Sequence, residues 1–416
     1  MRDLLIHNKS FLMLWISMLT TRFGNALTIT VLMYHIGTQS HSPMMISMIL
    51  FAQMTPMVLI GIFAGSIADR LPKFAVMIGS EFFQLLTVTT MIFFLNRPSL
   101  LIFLIFLQGL GAAFYGPAKT AYLPYLVKEQ NLPEAIGLSQ GTTQATDMIG
   151  PPIAGVLLLI IKSGQILMID VFTFLISAVL ILVSYLFIRR KSAISETKAK
   201  EPLWISIIQG LKEVSALPAL KFLIVIVFVL MLSAGVFNAT SVAIELQLFH
   251  VTGFQYGLLE SVSGIGAIAG SFAGPYLIKK IHPGKFIIWA GVLLGVWMVL
   301  ILFVQIFYIQ SGLLSLFVWI AGLGFLNSCL NIPVSSLFIV ITPEKFRGRA
   351  VGTLQMFSFL GCIIGLLAGG ALAGWIGLIH MTVIAGLLMA VVSTGLTGTK
   401  GYKNLTAVRN RQNSEL

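Results

Sequence analysis

The chain has 416 residues, 57% of them hydrophobic and 10% charged, where an ordinary soluble domain carries about 25% charge. A water-soluble globule is excluded, because so few ionised side chains would leave large apolar patches facing water. The net charge of +12 comes from 26 Lys and Arg against 14 Asp and Glu, yet the basic residues sit in short gaps between apolar runs and form no basic domain for nucleic acid.

About 20 apolar residues are needed for a helix to cross a bilayer. Runs of that kind occur at 11–36, 44–68, 75–95, 99–118, 135–161, 166–188, 221–248, 255–278, 285–307, 313–341, 349–374 and 377–397. They predict twelve spans. The first follows Arg2 and Lys9 as a signal peptide would, but it is too long and lacks a small-residue cleavage site, so it reads as a retained helix. Lys and Arg in alternate loops give an independent test, since cytoplasmic loops are the basic ones. One side collects 23 of the 26, the other only Arg97 and Lys162, with Arg22 inside a span. Both termini are therefore expected in the cytoplasm.

The longest polar insert runs from Arg189 to about Leu220 and divides the spans six and six. The expected organisation is a six-helix half over 1–188, a linker over 189–220, a second half over 221–397 and a cytoplasmic tail over 398–416. Within the linker, 203–214 has apolar residues at helical spacing beside charges. This is the pattern of an interfacial amphipathic helix, and equally that of a plain linker. The halves look like copies. At an offset of 215, Ala135, Gly137, Gln140, Ile149, Gly150 and Gly155 fall on Ala350, Gly352, Gln355, Ile364, Gly365 and Gly370; at 209, Gly61 and Gly65 fall on Gly270 and Gly274. Repeated membrane halves are common in transporters that rock around a central site.

Gly65-Ser66-Ile67-Ala68-Asp69-Arg70-Leu71-Pro72-Lys73, expected in the loop after the second span, resembles the major facilitator superfamily signature G-x-x-x-D-R-x-x-[KR]. The stretch from Gly109 to Ala118, followed by Leu123-Pro124-x-Leu126-Val127, is similar to the macrolide-efflux and enterobactin-exporter type branch. Gly150, Pro151 and Gly155 match the G-P-x-x-G core of the antiporter motif, whose leading glycine is replaced by Thr146, and the arginine usual in the fourth span is Ile105. The resemblance implies an all-α membrane protein of the major facilitator fold: a secondary active exporter of amphipathic small molecules, proton-driven and working as a monomer in a bacterial-type inner membrane. A lysophospholipid flippase, echoed in Gly116-Pro117-Ala118-Lys119, or an uptake permease is the alternative, and a non-transporting sensor a remote one.

Each special residue has a physical reason. Asp69 suits a positive helix N-terminus, and Arg70 can clamp a carboxylate with two parallel hydrogen bonds. With Gly65 and Lys73 they make a cytoplasmic gate, whose second copy, Gly274 to Lys280, has no acid. Ionisable residues inside spans cost about 2.5–3.5 kcal/mol each by insertion scales: Arg22, Glu81, Asp147, Asp170, Glu245 and Glu260. At 1.5 Å per residue, Arg22 and Asp147 both lie about 18 Å from the cytoplasmic ends of their helices. They either fasten the first span to the fifth or carry a coupling proton. Glu245 and Glu260 either bind a cation at the outer mouth or reach the headgroups. By the resemblance, spans 1, 4, 7 and 10 line the cavity, where Asn25, Gln108, Phe114, Tyr115, Asn238, Asn327 and Asn331 would give an apolar pocket a few polar fixing points. By the same resemblance spans 2, 5, 8 and 11 form the contact between halves, where their small residues would allow close approach.

Catalysis, cofactors and metals have no visible signal. Cys329 and Cys362 lie inside apolar runs, the six histidines are scattered, and H-x-x-x-H does not occur.

Overall fold

The computed structural model describes residues 8–40, 42–189, 212, 214–343 and 347–402; the side chains of 58, 60–70, 129, 133, 144, 188–189, 279, 309, 311 and 347–349 lie outside that description. Most of the linker, including the amphipathic segment apart from Lys212 and Val214, also lies outside the described residues. The described chain is helical, without strands: α1 (Lys9–Gln39), α2 (Pro43–Arg70), α3 (Lys73–Phe93), α4 (Pro98–Leu126), α5 (Leu132–Ile160), α6 (Ser163–Arg189), α7 (Pro218–Ala243), α8 (Gly253–Lys280), α9 (Pro283–Val299), α10 (Ile301–Ser311), α11 (Leu313–Ile341), α12 (Arg347–Ile376) and α13 (Leu378–Gly395). α9 and α10 together make the ninth span, so thirteen helices supply the twelve spans. Ten spans among the described residues are long and apolar enough to cross a bilayer. α1 and α2 complete the set. α7 runs on into a π-helical turn, Ile244–Leu248.

Two compact units divide the chain. The first comprises 1–41, 48–200 and 250–258; the second comprises 42–47, 201–249 and 259–416. Within the first, α1 packs on α6 and α5, and α3 packs on α4 and α6. Within the second, α7 packs on α13 and α12, and α9 packs on α11 and α13. Span for span these are the same four pairings, so the offsets read in the sequence correspond to a repeated packing plan.

Local chemistry fixes the ends. Asn8 caps α1 by accepting from the Phe11 N–H at 3.1 Å, and its amide donates to the Leu126 carbonyl, tying the start of α1 to the end of α4. The turn from α12 to α13 passes through Gly377 at φ 94°, a backbone conformation that favours glycine. In the first unit one apolar cluster gathers Phe11, Leu14, Met77, Tyr122 and Ile181, and another gathers Leu27, Val31, Ala154 and Ile166.

Candidate substrate and coupling sites

Along one face of α1 stand Thr21, Gly24 and Thr28, spaced i, i+3, i+7, opposite Asp170, Thr173 and Ser177 at the same spacing on α6. The fully buried Asp170 carboxylate accepts from Thr28 Oγ1 at 2.6 Å and Thr173 Oγ1 at 2.9 Å. Fully buried Glu81 of α3 accepts from Thr21 Oγ1 at 3.1 Å and Ser177 Oγ at 3.0 Å. Two carboxylates are thus held by hydroxyl donors on α1 and α6, tying three helices of one unit together in the close packing that only small residues permit. The second unit puts no acid on the equivalent seam: Thr240 and Thr382 hydroxyls meet at 2.9 Å and Ser233 Oγ donates to the Ala385 carbonyl at 3.2 Å. From the sequence Asp170 stands only as an ionisable residue inside a span. Its hydroxyl partners are legible afterwards in the shared i, i+3, i+7 spacing.

Two of the expected cavity residues meet directly. Gln108 Nε2 donates to Asn25 Oδ1 at 2.8 Å, while buried Gln108 Oε1 makes no hydrogen bond. Phe114 is half-buried, and Tyr115 packs against the apolar cluster around Phe11 and Leu14. Nearby, a cavity of about 110 Å³ opens between α1, α4 and α5, lined by Phe11, Trp15, Met18, Lys119, Leu123 and Gln140. Trp15 Nε1 donates to Thr142 Oγ1 at 2.8 Å, and Lys119 Nζ lies 3.2 Å from Met18 Sδ. Arg22 and Asp147 are both exposed. They act on each other electrostatically with no direct ion pair between them, so the close pairing pictured from depth alone is absent.

In the second unit Asn238 is exposed on α7, Asn327 is half-buried on α11, and Asn331 Oδ1 accepts from Ser335 Oγ at 3.3 Å. Phe237 meets Trp319 edge-on, with ring centroids 5.7 Å apart. Trp319 and Trp297 exchange indole N–H donors and backbone carbonyls at 2.8 and 2.9 Å, bracing α11 to α9.

Glycine placement follows expectation only in part. Gly266, Gly270 and Gly274 of α8 lie against the backbone of α11, inside the second unit, where a Cβ would collide with carbonyl oxygens. Gly365 likewise lies against Leu232 of α7, and Gly150 against Ala26 of α1. Gly155 of α5 meets Gly253 and Gly257 of α8, and Gly370 of α12 meets Ser47 of α2, joining spans 5 with 8 and 11 with 2 as expected for small residues between the sequence halves. Most of these small faces therefore serve helix packing within a unit. Pro151 and Pro152 lie inside α5, which remains helical through to Ile160.

The gate motif is also displaced from its expected loop. α2 stays helical through Asp69 and Arg70, because Pro72 disfavours helix only for the residue immediately before it, Leu71. The side chains of Gly65 to Arg70 lie outside the described residues; Lys73 opens α3 and is half-buried.

A sequence profile of the family described as transmembrane secretion effector matches residues 5–403. The chain is 24% identical to the uncharacterised MFS-type transporter YfiS of Bacillus subtilis (strain 168), covering 94% of this chain and 93% of the relative. It is 22% identical to macrolide efflux protein A of Streptococcus pyogenes, over 92% and 94% of the two chains. Among solved structures, a bacterial homologue of the iron transporter ferroportin in an inward-facing state superposes with a TM-score of 0.73 at 15% identity, covering 94% of this chain and 98% of that one. An auto-inhibited POT family peptide transporter gives 0.73 at 11% identity, over 96% and 97%. Twelve spans in a repeated packing plan, the profile match over nearly the whole chain and these relatives agree: the chain belongs to the major facilitator superfamily, within the transmembrane secretion effector family.

Proposed function

We propose that this transporter exports amphipathic small molecules, drug- or macrolide-like in character, by alternating access driven by the proton gradient. Supporting the export direction are the efflux relatives, which include macrolide efflux protein A and a Lactococcus lactis multidrug pump homologue, 31% identical over 141 residues. The observation that carries the cargo class is the Gln108–Asn25 pair. Gln108 Oε1, buried without a protein donor, offers one acceptor to a cargo. Such a site fixes the orientation of a greasy ligand through a few polar contacts, whereas a sugar demands many.

In this reading both termini face the cytoplasm of a bacterial-type inner membrane, and the monomer is the working unit. Asp69, Arg70 and Lys73 hold the cytoplasmic side shut. Asp147, exposed near Arg22, takes up and loses the coupling proton as its surroundings change from aqueous to closed. Efflux tests the reading: everted vesicles carrying the chain are given a panel of macrolides and other amphipathic compounds, with and without a proton gradient. Gradient-dependent accumulation of an amphipathic compound is expected. Movement of lysophospholipid alone supports the flippase instead, and no gradient effect on any compound rejects proton-driven export.

A further inference from the structure

Glu245 lies in the π-helical turn that ends α7 and is 2% exposed. It therefore does not reach lipid headgroups, and its Oε2 is buried without any hydrogen-bond partner. The charged group that acts on it is Glu260, half-buried two turns into α8 and in the same unit. π-turns insert an extra residue into a helix and re-aim a side chain, often at functional positions. Here the re-aimed side chain is a buried acid with an unpartnered oxygen, within electrostatic reach of a second acid. No described basic side chain acts on either carboxyl. Of the other titratable groups at this end, His250 and His380 are exposed, and the Tyr308 hydroxyl donates to the Phe249 carbonyl at 3.3 Å.

A fully buried carboxylate and a half-buried one acting on it do not both stay charged without a cation between them. A metal ion prefers a larger set of ligands, and among the described residues no third His, Cys, Asp or Glu completes one. One proton suffices: it removes one of the two charges and supplies the donor that Glu245 Oε2 lacks. We infer that Glu245 and Glu260 form an acid pair that binds a single proton in the C-terminal half, a second ion site separate from Asp147. The pair has a place in the proton-driven cycle proposed above and rests on that reading for its role in transport; its proton occupancy is measurable without transport.

A hydrophobic carbodiimide tests the occupancy, since it adds only to a protonated carboxyl, whose proton passes to the carbodiimide nitrogen. The full-length chain, reconstituted in phosphatidylethanolamine and phosphatidylglycerol vesicles, is labelled at neutral pH and mapped by peptide mass spectrometry. One label per chain is expected on this pair, and removal of the neighbouring charge in E260Q should lower labelling of Glu245 about tenfold. Equal labelling in monodisperse E260Q, two labels or none on the pair in the unaltered chain, or protection by sodium or magnesium at fixed pH overturns the proton site. The label count needs no variant, so a misfolded E260Q does not remove the test. Gradient-driven efflux with Glu245 unlabelled rejects the pair and keeps the exporter; the expected labelling without efflux does the reverse.

Discussion

Asp170 fills the space that a side chain at position 24 would need: a Cβ on Gly24 would overlap the Asp170 carboxylate and the Thr173 hydroxyl. α1 comes this close to α6 because it carries no side chain at that step. Gly24→Ala should therefore push the two helices apart and lower the detergent melting temperature, with a cost of about 1–3 kcal/mol, typical of overpacking. Asp170→Ala in the same chain should recover part of that loss, because it vacates the space and removes the buried carboxylate whose donors had been displaced. Thermal unfolding of the two single variants and the double variant checks this; additive losses would show that the two sites are independent.

The small residues of α8 provide a second contrast. Alanine at Gly270 would run into the Phe325 carbonyl of α11, a backbone atom that cannot move aside, whereas the surroundings of Gly352 are open within 4 Å. Gly270→Ala should cost about 1–3 kcal/mol and Gly352→Ala less than about 0.5 kcal/mol. Equal melting temperatures for the two variants would mean that the α8–α11 approach is not a tight constraint.

Spans, repeat and family were legible because they rest on long signals. Twenty-residue apolar runs, a basic bias over alternate loops and offsets held across several helices each average over many side chains. Partnerships were not. Glu81 and Asp170 draw three of their four donors from hydroxyls 60 to 142 positions away in sequence, and a threonine on a span looks the same whether it bonds its own helix, as Thr30 does to the Ala26 carbonyl, or a buried acid, as Thr28 does. The same limit misplaced the glycines of α8. Spacing marks a helix face for close approach but does not say which helix approaches it. Gln108 and Asn25 were singled out for the cavity separately, and only the fold shows that they bond each other.

The gate can be separated from insertion and folding. Asp69 ends a helix beside a basic turn, so Asp69→Asn removes a charge without placing one in lipid. Expression and melting temperature should stay near those of the unaltered chain while efflux falls severely. Asp69→Glu should restore part of the flux, since it returns the carboxylate one methylene further out. Full flux in a well-expressed Asp69→Asn variant would reject the gate.

Arg22 and Asp147 can be assigned by comparing stability with transport. A buried, directly bonded pair costs about 3–5 kcal/mol to break, because the remaining charge is stranded in low dielectric. These two side chains are exposed and interact without an ion pair, so neither is the other's hydrogen-bond partner. Arg22→Ala and Asp147→Ala should each leave the melting temperature nearly unchanged, with a coupling energy in the double variant below about 0.5 kcal/mol. Transport should respond differently: Asp147→Asn is expected to abolish export against a gradient while leaving substrate binding and downhill exchange in place, because only the proton step is removed. Arg22→Ala should shift the pH at which export is fastest, since it withdraws a positive charge acting on Asp147. A large coupling energy would return the pair to a structural fastening between α1 and α5, and normal gradient-driven export by Asp147→Asn would leave the Glu245–Glu260 pair as the remaining proton site to test.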